Sequence, residues 1–301
     1  MPPDSLVATL VADPIRARLS DALIARAAQA LPNFAGARWL EEDVAADLFF
    51  TGDADVLALA RERLRVALAA APIDAIAQRA EGRRKKLLLA DMDSTLIGQE
   101  CVDELAARVG LGPRVAAITE RAMRGEIAFE PALRERVRLL AGLPESVIAE
   151  VLESRITLNP GARTLVQTMR AGGAHTAIVS GGFTQFTGAI AARLGIHEHR
   201  ANELVVENGV LVGRVGEPIL GRDAKLATLR DLRAEHGLAP SETLAIGDGA
   251  NDLAMLGEAG LGVAYRAKPA VAAAAHARIE HSDLSALLYA QGYPRSAFIT
   301  S

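Results

Sequence analysis

The sequence predicts a doubly wound α/β protein, a parallel sheet covered by helices, with a helical cap inserted into it and a smaller α+β unit in front. Three observations carry this. From residue 87 onward, short wholly apolar runs alternate with helical stretches, the pattern of strands buried on both faces. Between 98 and 158 the alternation stops and only helical periodicity remains. Before residue 82 the order changes, with two strands in succession at its middle.

The chain has 301 residues, 50% of them apolar, enough to bury one large core or two smaller ones. A net charge of -4 gives no reason to expect a nucleic-acid or membrane partner. The single Cys101 excludes an internal disulfide and a cysteine-built metal site, and fits a reducing compartment. Asp4, Asp13 and Asp21 interrupt any signal-peptide core. No apolar run approaches the ~20 residues of a membrane helix, so a cytoplasmic protein is expected.

In order along the chain, Leu6–Val11 reads as a strand and Ala17–Leu31 as a helix with Leu19, Leu23, Ala27 and Ala30 on one face. Ala37–Leu40 and Ala45–Thr51 are two strands joined by acidic residues 41–43. Asp53 N-caps a helix running to about Ala70, and Ile73–Gln78 closes the unit as a strand. This β-α-β-β-α-β order over residues 1–82 resembles the ferredoxin-like ACT domains, which often sense amino acids. The ligand-contacting glycine of that family is missing after the first strand, where Asp13 and Pro14 stand. A structural or dimer-forming role, giving a homodimer, fits as well as sensing. Trp39 is read as a core or interface residue. The charged stretch Glu81–Lys86 reads as a solvated linker.

The strands expected after it are Leu87–Ala90, Thr176–Val179, Thr243–Ile246 and Gly262–Ala264, with helices near 161–171, 184–194, 223–236 and 252–259. Residues 83–97 and 159–301 thus form the core, and 98–158 the cap. In the cap Val102, Leu105, Ala106 and Val109 share a helix face, as do Leu133, Val137, Leu140 and Ala141. Leu204–Val215 reads as a β-hairpin turning at Asn208-Gly209.

The chemistry lies where strands end. Leu87–Ala90 runs into Asp91-Met92-Asp93-Ser94-Thr95, and ligands in open α/β sheets bind outside the carboxyl ends of strands. One Asp there suits a helix cap; two close carboxylates repel and call for a cation or a proton. Thr243–Ile246 runs into Gly247-Asp248-Gly249-Ala250-Asn251-Asp252, where glycines permit close backbone approach and acidic residues complete a hard-cation site. An Asx-type turn is the plainer reading. Ser180-Gly181-Gly182 offers a hydroxyl and free N–H groups to an anion, or is only a tight turn. Lys225 stands early in a helix, against the dipole, which hints at a task beyond surface charge.

In this order the four segments resemble the motifs of the haloacid dehalogenase (HAD) phosphatase superfamily, whose core is a HAD-like Rossmannoid sheet, over residues 86–290. Within it the chain is similar to the phosphoserine phosphatases: they share the Asp-Met-Asp-Ser-Thr form, a Glu at the place of Glu100, and a helical insert holding Phe129-Glu130 and Leu133–Val137. The resemblance implies Asp91 as nucleophile, Asp93 as general acid/base, and Mg²⁺ held by Asp91, Asp248 and the carbonyl oxygen of Asp93. Asp252 stands behind this shell. It implies a small phosphomonoester as substrate, phosphoserine first. Ser180, Gly181, Lys225 and Asn251 then serve the phosphate, Glu100 the substrate ammonium, and Arg136 its carboxylate by a two-pronged contact. Met123 and Phe129 close the pocket. Cys101 is buried packing. The alternatives are a phosphatase for another small monoester, or a phospho-accepting regulatory protein, against which Lys225 and Asp93 argue.

Overall fold

The computed structural model describes residues 5–123 and 126–300, without the side chain of Met123. Two main sheets organise them. The first holds β1 (Ser5–Ala12), α1 (Asp21–Ala30), β2 (Phe34–Glu41), β3 (Ala45–Thr51), α2 (Ala54–Ala67) and β4 (Ile73–Arg79). Its strands are antiparallel in the order β2-β3-β1-β4, a ferredoxin-like arrangement. Alternation along β1 divides its side chains. Leu6, Ala8 and Leu10 pack with Ala27, Ala60 and Leu64 of the helices. Val11, with Leu40, Ala45 and Ile76, joins the apolar cluster of the rest of the molecule. Asp53 caps α2 as expected, accepting the Val56 N–H at 3.0 Å. α1 starts at Asp21 rather than Ala17, because Ser20 caps it and residues 13–17 form a separate turn on the Asp13 carbonyl.

The second sheet begins with β5 (Leu87–Ala90). A turn at 92–96 leads into four helices of the cap: α3 (Cys101–Arg108), α4 (Gly112–Met123), α5 (Phe129–Arg138) and α6 (Ser146–Ser154). The chain returns through α7 (Ala162–Ala171), β6 (His175–Phe183), α8 (Thr184–Leu194) and β7 (Glu198–Asn202). A hairpin, β8 (Leu204–Glu207) and β9 (Val210–Val215), turns at Asn208-Gly209. Then follow α9 (Arg222–Glu235), β10 (Thr243–Gly247), α10 (Leu253–Glu258), β11 (Leu261–Tyr265), α11 (Pro269–Ala274), β12 (Ala277–Ile279) and α12 (Ala286–Ala290). Six strands lie in the order β12-β11-β10-β5-β6-β7, all parallel. The chain leaves β5 toward β6 on one side and later returns to β10 on the other. The carboxyl ends of β5 and β10 therefore border a crevice at a topological switch point.

Two expectations are corrected. The stretch 81–86 is not a solvated linker. Arg83 is buried, with two parallel hydrogen bonds to the buried Asp47 at 2.9 and 2.8 Å. Arg84 lies over the Tyr293 ring, Lys85 donates to the carbonyls of Gly82 and Ser241, and Lys86 pairs with Glu242. Each basic side chain has a partner within the protein. Of the two readings of Trp39 the core one is corrected, since it lies on the edge strand β2, 38% exposed, and the interface one is untouched. Two short strands, β7 and β12, were not expected, because Glu198–Asn202 is polar and Ala277–Ile279 has only three residues. No described helix is long and apolar enough to cross a membrane.

Candidate active site

The site grows from the end of β5. The strand is wholly buried, and its last pairing is Ala90 with Ile246 and Ile178. The next backbone group, the Asp91 N–H, still bonds to the Ile246 carbonyl at 2.9 Å, so Asp91 leaves the sheet in a fixed direction. Its Oδ1 accepts the Met92 N–H at 2.7 Å, and its Oδ2 meets Lys225 Nζ at 2.6 Å. The turn that follows puts Ser94 in the left-handed region, φ 56°, which lets Ser94 Oγ donate to Glu100 at 2.7 Å.

Lys225 is the fourth residue of α9 and almost wholly buried. Besides Asp91 it donates to Asp252 Oδ1 at 2.6 Å. Burial pulls its pKa down, but the two carboxylates outweigh that and hold it above the ordinary lysine value. At the end of β10, Gly247 allows the turn to fold tightly, since a Cβ there would lie 2.3 Å from Asp252 Cγ. Asp248 accepts a hydrogen bond from Thr95 Oγ1 at 3.0 Å, and Asp252 Oδ2 accepts the Gly249 N–H at 3.0 Å.

Asp91, Asp248 and Asp252 offer oxygens within 4.8 Å of one another. Burial raises Asp91 well above the usual carboxylate range, with Asp252 and Asp248 adding to the rise and Lys225 opposing it. Burial, then Asp252, pushes Asp248 up to about 6. Buried like charges of this kind are unfavourable without a cation, and an all-oxygen set suits a hard divalent ion. Asp252 lies within the cluster itself, but Lys225 and the Gly249 N–H take its two oxygens, which fits a supporting place.

Asp93 stands outside this cluster. Burial and the neighbouring Glu100 push it up to about 7, while the thiol and N–H of Cys101 pull the other way. The N–H contact is 3.4 Å, and Cys101 is fully buried with its thiol pushed up by burial. The cap closes on this end of the sheet. A Cβ on Gly181 would lie 3.2 Å from the Phe129 ring, so a larger residue there would push the ring outward by a few tenths of an ångström. Arg136 reaches the Ala132 carbonyl and Thr119 only at 3.4 and 3.5 Å and makes no ion pair among the described residues. Burial lowers its pKa, against the charges of Asp103, Glu100 and Asp93. Ser180 is buried, its Oγ accepting the Gly182 N–H at 2.9 Å. Asn251 folds back over Gly249. Met123 ends α4, and its side chain lies outside the described residues.

Sequence reasoning missed two supporting residues. Thr95 stands inside the first motif, but only the fold shows its bond to Asp248. Buried Asn202, at the end of β7, donates to the carbonyls of Gly181 and Leu220 and accepts the Leu220 N–H at 2.6 Å. It ties the irregular end of β6, after Val179, to the approach to α9. A polar residue closing a short run was its only signal.

Residues 88–257 match the family of haloacid dehalogenase-like hydrolases. The chain belongs to this family. A phosphoserine phosphatase of Albidiferax ferrireducens is 49% identical to this HAD-family chain over 208 residues, 67% of this chain and 88% of that one. The phosphoserine phosphatase SerB2 of Mycobacterium tuberculosis is 46% identical over 213 residues, 71% of this chain. That match spans only about half of the relative's length, 52%. Among solved structures, a HAD family hydrolase from Salmonella enterica serovar Typhi superposes with a TM-score of 0.84 at 29% identity, covering 95% of this chain and 97% of that one. Both sheets of this HAD-family chain therefore recur together elsewhere.

Proposed function

We propose that this chain is a Mg²⁺-dependent phosphomonoester hydrolase that converts phosphoserine to serine and phosphate through an aspartyl-phosphate on Asp91. The observation that carries the reading is the cluster of buried Asp91 and Asp252 with half-buried Asp248, Lys225 being wedged between Asp91 and Asp252. A phosphate dianion repels nucleophiles, and this arrangement is built to hold opposite charge around one. Asp91, Asp248 and the Asp93 carbonyl would hold Mg²⁺, which when bound neutralises phosphoryl and carboxylate charge.

Within that setting an Asp91 carboxylate oxygen attacks phosphorus in line, and the bond from phosphorus to the serine oxygen breaks. Asp93, raised to about 7, is protonated in a large share of molecules at neutral pH and gives that proton to the leaving oxygen. It then takes a proton from the water that cleaves the acyl phosphate, which restores Asp91 and frees phosphate. Ser180, Gly181, Lys225 and Asn251 bind the phosphoryl oxygens, and Asp252 keeps Lys225 in place. Glu100 takes the substrate ammonium, Arg136 its carboxylate, and Phe129 with Met123 closes the pocket. We assign 1–82 to an ACT-like unit, 83–97 with 159–301 to the catalytic core and 98–158 to the cap. A homodimer in a cytoplasmic, reducing setting belongs to the same reading, the free thiol of Cys101 fitting the reducing setting alone.

Phosphate release from phosphoserine and from a panel of other monoesters, with and without Mg²⁺, tests the proposal. Phosphoserine should be preferred, chelation should abolish turnover, and Asp91→Asn should lose several orders of magnitude while remaining folded. Full turnover in excess chelator, or activity of Asp91→Asn within about tenfold of the parent, would overturn it.

A further inference from the structure

The seam between the two sheets opens into a cavity of about 640 Å³, with α2 and β4 on one side and residues 272–281 on the other. That is the size of a small-molecule site. No residue of the candidate active site lines it. Leu64, Leu68 and Ala272 give it an apolar wall, and three guanidinium groups border it. Two of these are neutralised, Arg65 by Glu62 and Arg278 by Glu280. Arg61 is different. It is half-buried, its Nε donates to the Ala77 carbonyl at 3.0 Å, and it makes no ion pair among the described residues. Across the seam stands His276, which feels Arg61 as a positive neighbour. Burial disfavours the charge on both. A guanidinium with no ion pair among the described residues shares this cavity with an imidazole kept uncharged by burial and by that guanidinium, an arrangement that an anion accepting from both relieves.

We propose that this cavity binds a small organic oxyanion, a carboxylate or a phosphate ester. Its charged head sits between Arg61 and His276, and its apolar body lies against Leu64 and Leu68. An occupant touches both units at once, so it ties the N-terminal sheet to the catalytic one and stabilises that docking by mass action.

The six histidines make the test specific. His276 and His281 line the cavity; His175, His197, His199 and His236 do not and serve as internal controls. The full chain, ¹⁵N-labelled at histidine, is titrated with inorganic phosphate and separately with propionate, chloride being used to match ionic strength. The expected result is a saturable shift of the His276 ring resonances with the four controls unmoved. A response to phosphate alone identifies the head as a phosphate ester, to propionate alone as a carboxylate, and to both as either oxyanion. Arg61→Gln should weaken the response at least about tenfold. Arg61→Lys should weaken it less, because a point charge keeps the attraction and loses the fork. It also serves if the Gln variant folds poorly. The proposal falls if His276 stays still, if chloride reproduces the shift without saturation, or if Arg61→Gln titrates like the parent.

Discussion

Arg136 and Asp91 illustrate two ways a buried charge is kept. Asp91 has its cation built in, Lys225 at 2.6 Å, whereas Arg136 has only a carbonyl and a hydroxyl at the limit of hydrogen bonding. Beside Arg136, Asp103 Oδ1 is buried without a hydrogen-bond partner. A guanidinium held this loosely supports the proposed role of Arg136 toward the substrate carboxylate. A two-pronged contact of that kind contributes roughly 1.5–3 kcal/mol, about one to two decades in catalytic efficiency. Arg136→Ala is therefore expected to cost phosphoserine that much and an aryl phosphate far less; an equal loss for both substrates would make Arg136 structural. Asn202→Leu strips three hydrogen bonds from two loops of the site. Each polar group left buried and unpaired costs roughly 1–3 kcal/mol, so the unfolding midpoint should drop and inhibition by inorganic phosphate should weaken together. At this scale the sequence was most readable where motif residues follow a strand directly, as Asp91 does after Ala90. Asn202 was not readable, because its partners at 181 and 220 come near it only in the folded chain.

At the scale of elements, the N-terminal sheet is docked firmly. Asp74 on β4 accepts the backbone N–H groups of Glu280 and Ser282 at 2.8 and 2.7 Å, and Gln78 donates to the Ala290 carbonyl at 2.9 Å. Tyr289 hydrogen-bonds Glu41. The apolar cluster runs on from Val11 and Ile76 to Leu287 and Tyr289. A chain starting at Arg83 would expose this apolar face and leave Arg83 without Asp47. It is expected to melt at a lower temperature yet keep turnover per folded molecule at low temperature, because none of the proposed site residues lies in 1–82. A folded but inactive fragment would show that the N-terminal unit supports the site. Periodicity revealed nearly all the longer elements, since their apolar faces repeat. The docking was not legible: a run of four basic residues looks solvated until Asp47, from a strand far back in the sequence, is seen beneath it.

Across the whole molecule, two ends of the sheet carry different electrostatic problems. Carboxylates gather at one end, while at the other the His175 ring lies 4.8 Å from His197 and 4.1 Å from His236. Burial, and then the neighbouring imidazoles or Arg170, lowers the pKa of His175 and His197. Both are thus held neutral in the fold and take up protons more readily once unfolded. The stability they contribute is present above the unfolded value of ~6.5 and is lost as pH falls below it. His236→Gln removes one positive neighbour from each. Between about pH 7.5 and about pH 5.5 its melting temperature should fall less than the parent's, which thermal unfolding at the two pH values measures directly. An equal or larger fall would show that the trio does not set the acid response.

The position of β5 between β6 and β10 bears on how the chain is made as well as on how it works. Leu87 pairs with both His175 and Thr243. A ribosome that has released Leu87–Ala90 must still translate as far as Thr243 before the second partner exists, a wait on the order of ten seconds at ~5–20 residues per second. Throughout that interval the nascent polypeptide displays the most apolar strand of its catalytic sheet with at least one edge open. Such edges are where chaperones hold and where misassembly starts. The strand that carries Asp91 at its end is the first of the sheet to be synthesised and the one that waits longest for its second partner.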